Sequence, residues 1–393
     1  KTLPGFQGSL PFQLETGYIG VDESDDVQLF YYFIESERNP IEDPLILWLA
    51  GGPGCSALTA LFYEIGPLTF DVVDQYNGSF PAFVSNAYSW TKVSSIIFLE
   101  SPVGTGFSYS RSSEGWKTSA KKSVDQAYSF ILQWLNDHPD FQQNPLYIAG
   151  DSYSGMIIPP IVEEIANGIE AQRKPPINLK GYMEGNPMTE VNYDSNSRIP
   201  FAHRMALISD ELFELTKRSC KGNYLTVDSR NLECTKNLQA VSQNYNYLSS
   251  YYWANDEVVR NALHVRKGTV GSWARCNTLS YINDIESVVI NHLSLNNRGY
   301  HALIYSGDHD MVVPYIGTLA WMKSLNLSIT DDWRPWFVDT QVAGYTRTYS
   351  KFMTFATVKA RTYFSVGAGH TAPEYKPKEC LSMLDRWLSN SSL

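Results

Sequence analysis

The segment Gly150-Asp151-Ser152-Tyr153-Ser154-Gly155 fits a Gly-x-Ser-x-Gly type of pattern between an apolar run and a helix-like stretch. A serine held at a tight strand-to-helix turn exposes its hydroxyl for attack on an acyl carbon, and small residues at the ends of the turn let strand and helix come closer than a Cβ allows. Such a serine needs a base, and the base needs a carboxylate to orient it. Of the seven histidines, His138 precedes a proline, His203, His264 and His292 lie in helix-like segments, and His301 starts a strand. His309 and His370 remain, and His370 stands in a Gly-rich loop after an apolar run near the C-terminus. Upstream, Asp308-His309-Asp310 follows another apolar run. Asp310 is preferred as the acid, because it lies further into the loop and precedes Met311-Val312-Val313-Pro314, which buries it against the histidine, while Asp308 caps the turn. His309 is then a loop residue. The order Ser152, Asp310, His370 is that of a hydrolase built on an α/β sheet.

Acyl chemistry also develops negative charge on the carbonyl oxygen, which calls for aimed N–H donors. The Tyr153 N–H, next after the serine, is one candidate. The loop Gly51-Gly52-Pro53-Gly54 supplies the other, and Gly52 is our choice. That loop lacks the spacing and the lysine of a phosphate cradle. Three consecutive residues diverge in an extended chain, so the Asp-His-Asp triplet is a poor metal site. No metal or cofactor is expected.

These residues need a scaffold, and the chain repeats one device. Leu45-Ile46-Leu47-Trp48-Leu49, Ile96-Ile97-Phe98-Leu99, Leu146-Tyr147-Ile148-Ala149, Ala302-Leu303-Ile304-Tyr305 and Thr362-Tyr363-Phe364-Ser365-Val366 each stop abruptly in Gly, Asp, Ser or Glu. Short apolar runs without period-2 alternation predict strands of a largely parallel sheet covered on both faces. Ala120, Val124, Ala127/Tyr128, Ile131 and Leu135 form one helical stripe between residues 118 and 137, and residues 156–169 predict a second helix. Alternating strands and helices imply an α/β fold whose ligands sit at the carboxyl ends of strands, where the polar residues collect. Residues 17–36 read as an opening β-hairpin turning at Asp22–Asp26. Residues 190–252 are polar and helical and read as an inserted lid between two core pieces, 1–189 and 253–393.

The chain has 393 residues, 43% hydrophobic and 18% charged, an ordinary folded composition. A net charge of −10 argues against nucleic-acid or anionic-membrane partners. No apolar run approaches the ~18 residues of a membrane span. The chain starts at Lys1 without Met and holds three Asn-x-Ser sequons, at Asn77, Asn326 and Asn390, which together favour a secretory route. Of five cysteines, the close pair Cys220 and Cys234 suits a local bridge if the compartment is oxidising.

The segments Trp48 to Ser56, Glu100 to Tyr109, Gly150 to Gly155, Ser306 to Pro314 and Gly367 to Glu374 resemble the successive signatures of the serine carboxypeptidase family. Over nearly the whole chain the resemblance is closer still to its plant acyltransferase branch. It implies an α/β-hydrolase fold with a mixed, mostly parallel sheet and an inserted helical lid. It also implies Ser152, Asp310 and His370 as the triad, Gly52 and Tyr153 as oxyanion donors, bridges Cys55–Cys276 and Cys220–Cys234, and Cys380 as the odd thiol. Ala50, Gly51 and Asp151 become the substrate-binding positions. Peptidases of the family usually carry Asn in place of Ala50 and Glu in place of Asp151, groups that hold a free C-terminal carboxylate.

That departure, with Asp331 to Trp336 and Ala343 to Tyr349, points to the branch whose donors are 1-O-β-glucose esters, whose acceptors are alcohols, and whose members are vacuolar glycoproteins. The alternatives are a carboxypeptidase that releases C-terminal residues at acid pH and a binding protein on a hydrolase scaffold. Trp333, Trp336 and Tyr345 are candidates for limiting water near the ester, or for packing. The chain is also short between residues 241 and 247, where relatives carry a linker that is sometimes excised. A segment missing near Gln243/Asn244, leaving two disulfide-linked chains, is therefore expected.

Overall fold

The computed structural model describes residues 2–71, 80–225, 230–239, 248–350, 352–359 and 368–393. The sheet is built from β1 (Leu14–Gly20), β2 (Val27–Ile34), β3 (Leu45–Leu49), β4 (Ser95–Leu99), β5 (Leu146–Asp151), β6 (Leu179–Gly185), β7 (His301–Gly307), β8 (Ile329–Val338), β9 (Gln341–Tyr349) and β10 (Met353–Val358). They lie in the order β1-β2-β4-β3-β5-β6-β7-β10-β9-β8, with a two-residue strand, Tyr109–Ser110, paired to β2. The six central strands are parallel, and antiparallel pairs close both edges.

Every residue of β3 and β4 is buried, which explains why their sequences show no alternation. The alternation appears in which core each side chain enters. Leu45, Leu47 and Leu49 face one core, whereas Ile46 and Trp48 face the other. The first core is filled by α1 (Ala120–Asp137) and α2 (Ile158–Glu170). The predicted stripe Ala120, Val124, Ala127, Ile131 and Leu135 is buried there, with Tyr128 packed at its margin. α1 starts two residues later than the pattern suggested. Thr118–Ser119 is a short strand, and the Ser119 Oγ accepts the Lys122 N–H as the helix cap.

Between β6 and β7 the chain is mainly helical: α3 (Val191–Arg204), α4 (Asp210–Cys220), α5 (Leu232–Gln239), α6 (Leu248–Asn255), α7 (Glu257–Ala262) and α8 (Val289–Asn297). A Cys220–Cys234 disulfide joins α4 to α5. The expected boundary at residue 252 falls inside α6, whose Trp253 is fully buried in the second core and donates from Nε1 to the Pro4 carbonyl. His264 is not helical. It follows α7 at φ +60°. Strands β6, β8, β9 and β10 were not read from the sequence. The expected strand over residues 362–366, Asn77 and the expected linker gap near 243/244 lie outside the described residues. Asn326 and Asn390 are exposed. Among the described residues, no helix is long and apolar enough to cross a membrane.

Candidate active site

β5 runs straight into Ser152, whose φ of +59° is rare for a residue with a Cβ. A Cβ on Gly150 would lie 2.1 Å from the Leu49 carbonyl oxygen, and one on Gly155 2.5 Å from that of Met188. Those contacts are the physical need for glycine at both ends of the turn. Between them, the Ser154 Oγ donates to the Asp151 carbonyl at 2.7 Å and the Met188 N–H to that of Ser152 at 2.9 Å.

The fold brings together three side chains separated by up to 218 residues in sequence. The His370 Nε2 lies 2.6 Å from the Ser152 Oγ, and its Nδ1 lies 2.7 Å from the Asp310 Oδ2. Asp310 is buried, and its carboxylate also accepts the N–H groups of Val312 (2.7 Å) and Val313 (3.1 Å) and the Asn186 amide (2.7 Å). Burial alone would push this carboxyl up, but the charge His370 can carry, its hydrogen bond and the two backbone donors hold it below the ordinary carboxylate range. Burial likewise pushes the His370 imidazole down, and the Asp310 carboxylate more than offsets this, so His370 titrates above the usual histidine value. Asp308 instead pairs with His309 at 2.7 Å. Among the described residues no cluster of three or more His, Cys, Asp or Glu is arranged to hold a metal ion.

Gly51 packs on Ser152. An ideal Cβ there would sit 2.5 Å from the Ser152 Cβ and 2.8 Å from the Tyr153 N. Gly52, at φ +115°, continues the loop into the wall of the cavity. A Cys55–Cys276 disulfide straps this loop to the segment at 275–277, reinforced by Ser56 N–H to the Arg275 carbonyl (2.8 Å) and Asn277 N–H to that of Gly54 (2.9 Å). The cavity in front of Ser152 is lined by Ala50, Gly51, Gly52, Thr59, Glu64, Asp151, Arg275 and His370. A second, narrow cavity shares Ala50 and Gly51 and is lined beyond them by Tyr153, Ile157 and Tyr281.

Glu64 and Arg275 escaped the sequence reading. Glu64 ends a π-helical turn, Ala60–Glu64, and Arg275 has only its neighbour Cys276 to mark it. Burial pushes the Asp151 carboxyl up to about 6 against the opposing pull of His370 and Arg275. Burial, then the negative charge of Asp151, pushes Glu64 well above the carboxylate range. The three aromatic residues considered as water shields do not line either cavity. Trp336 is fully buried with its Nε1 on the Thr357 carbonyl at 2.9 Å, and Trp333 stacks on Tyr345 at 5.7 Å on the exposed edge hairpin.

The buried carboxyls give the protein a pH signature. Glu100, which accepts from the Ser56 hydroxyl (2.6 Å) and the Ala57 N–H (3.0 Å), is pushed by burial up to about 7, as is Asp194. In the unfolded chain these groups ionise near pH 4. A raised carboxyl binds more protons folded than unfolded between those values. Its contribution to stability is therefore full below about pH 4 and is lost as pH rises through the folded value, by roughly 1.4 kcal/mol per unit for each group. His292, which burial depresses to about 3, works the opposite way and recovers stability up to about pH 6.5. Glu100, Asp151 and Asp194 together outweigh it, so the melting temperature should be higher at pH 5 than at pH 7.5 by at least about 3 °C. A scanning calorimetry series showing a higher value at pH 7.5 contradicts this.

The family model described as serine carboxypeptidase matches residues 4–252 and 243–390. Serine carboxypeptidase-like 17 from Arabidopsis thaliana is 54% identical over 416 residues, covering 100% of this chain and 93% of its own length. Serine carboxypeptidase-like 2 from the same plant is 52% identical over 417 residues, covering 100% and 92%. The crystal structure of a prohormone-processing carboxypeptidase from Saccharomyces cerevisiae superposes with a TM-score of 0.78 at 20% identity, over 96% of this chain and 91% of that one, which establishes the α/β-hydrolase fold. With the family matched along almost its whole length, the chain is an enzyme of the serine carboxypeptidase family.

Proposed function

We propose that the protein is an acyltransferase that moves an acyl group from a 1-O-β-glucose ester to an acceptor alcohol through an acyl-enzyme on Ser152. His370 takes the Ser152 proton as Oγ attacks the ester carbonyl, and the N–H groups of Gly52 and Tyr153 hold the oxyanion. The ester C–O bond breaks, His370 returns the proton to the departing glucose oxygen, and the acyl group stays on Oγ. The acceptor hydroxyl then gives its proton to His370 and attacks the same carbonyl, the C–Oγ bond breaks, and His370 passes that proton to the Ser152 Oγ, so the enzyme ends unchanged.

The observation that carries this reading is the wall beside the nucleophile. Ala50 lines both cavities with no side-chain donor, and Asp151 is one methylene shorter than the glutamate usual in the peptidases. A site without that clamp forgoes about 1.5–3 kcal/mol of charged hydrogen bonding to a free C-terminus, or about 10–100-fold in preference. Incubating the purified protein with a glucose ester plus assorted alcohols, and separately with a blocked dipeptide, tests it. New esters and free glucose are expected in equal amounts, with residue release at least about ten-fold slower. Rapid release of the C-terminal residue without transfer supports the carboxypeptidase alternative instead.

Two disulfides and the exposed Asn326 and Asn390 sequons support a secretory route, with the vacuole as its end. A two-chain form is supported by the family match, which divides into two stretches meeting at residues 243–252, and by alignments longer than the chain itself. One continuous species in mass spectra of both reduced and unreduced protein rules it out.

A further inference from the structure

Resting on the triad reading above, we propose that Asn186 is a positioning residue for the acid of the relay: its side-chain amide holds the Asp310 carboxylate turned toward His370. Asn186 is fully buried just beyond the C-terminal end of β6, next to the strand that leads to Asp310. Its φ of +44° is a left-handed conformation that asparagine accepts more readily than most residues with a Cβ.

The orientation of its amide follows from its two partners. The side-chain Oδ1 accepts the Gly307 N–H at 3.0 Å, so the Nδ2 must be the group that faces the Asp310 Oδ2 at 2.7 Å. The Asn186 backbone N–H donates to the Tyr305 carbonyl at 2.7 Å, which pins the residue across β6 and β7. The contact to Oδ2 equals in length that of His370 to the same oxygen. Val312 fixes the other oxygen at 2.7 Å, so the carboxylate cannot turn about its own axis without breaking a short bond at each end. Two residues on, the Met188 N–H holds the Ser152 carbonyl. The segment Asn186-Pro187-Met188 therefore braces both ends of the relay, the acid by a side chain and the nucleophile by the backbone.

Losing the amide does two things. The carboxylate gains freedom to rotate, which lowers the fraction of His370 correctly aimed at Ser152. Its charge is also less delocalised, so it raises the histidine further and moves the acidic limb of kcat/KM to higher pH.

The test uses the full-length enzyme with an ester donor, following kcat, KM, the pH profile and the rate of fluorophosphonate labelling at Ser152. Asn186→Ala is expected to lower kcat about 10–100-fold, to change KM less than about two-fold, and to move the acidic limb upward. Asn186→Asp keeps the shape and guards against a misfolded alanine variant. Its new carboxyl can donate to Asp310 only while protonated, so its rate relative to the parent should be best preserved on the acid side and should fall away toward neutrality. Wild-type kcat and pH limbs in both variants, with Ser152 still labelled in the parent enzyme, overturn the role of Asn186 alone. Failure of the parent enzyme to label at Ser152 overturns the triad reading and this inference with it.

Discussion

Replacing Ser152 with alanine is expected to lower the proposed acyl transfer by about 10⁴-fold or more, with the fold intact. The hydroxyl lies 2.6 Å from the His370 Nε2, so the change removes the attacking atom and leaves the base without its proton source. Alanine adopts the same backbone with less side chain, and the 2.9 Å bond from the Met188 N–H to the carbonyl of residue 152 is untouched. Melting temperature should therefore stay near that of the parent. Fluorophosphonate labelling should vanish, and steady-state rates should fall to what aimed N–H donors and binding supply without a nucleophile. A variant that keeps more than a tenth of the parent rate would show that the chemistry runs elsewhere.

The second large effect is expected at a position with no functional side chain. Gly51→Ala places a Cβ 2.5 Å from the Ser152 Cβ, 2.8 Å from the Tyr153 N and 2.9 Å from the Ser152 Oγ, so backbone must move. What moves is the pairing of Ser152 with the Tyr153 N–H that we propose as an oxyanion donor, and losing one such donor costs about 10²–10³ in kcat. Overpacking adds about 1–3 kcal/mol of destabilisation. Gly271→Ala is the control, because its Cβ would meet nothing within 4 Å. Measured kcat should drop for the first and hold for the second. Equal rates would mean that the glycine loop is further from the chemistry than its packing on Ser152 implies.

The parts of the protein legible in its sequence are those governed by local physics. Strands buried on both faces write themselves as unbroken apolar runs, which is why β3, β4, β5 and β7 were readable. β6 was missed because its glycines and Glu184 break the apolar run, although all but one of its residues are buried in the fold. β8 and β9 were missed for another reason. They form an edge pair with mixed exposure, so their pattern is neither an apolar run nor a clean alternation. The same cause left Trp333, Trp336 and Tyr345 open between limiting water and packing, and the structure places them in packing. Aromatic richness marks a place that buries area, and it cannot say whether the buried face belongs to a substrate or to a hairpin.

By itself the sequence determined residue types at turns: a serine flanked by small residues after a strand, a histidine in a glycine-rich loop, and an acid before a run that buries it. Such signals survive without coordinates because they depend on what backbone each residue permits. Only the tertiary structure decided which distant groups share one cavity. Glu64, Arg275 and Asn186 carry no motif, and they reach the site through a π-helical turn, a disulfide strap and the end of a neighbouring strand. Their placement depends on strand order in the sheet, and no short-range pattern encodes which strand ends will meet.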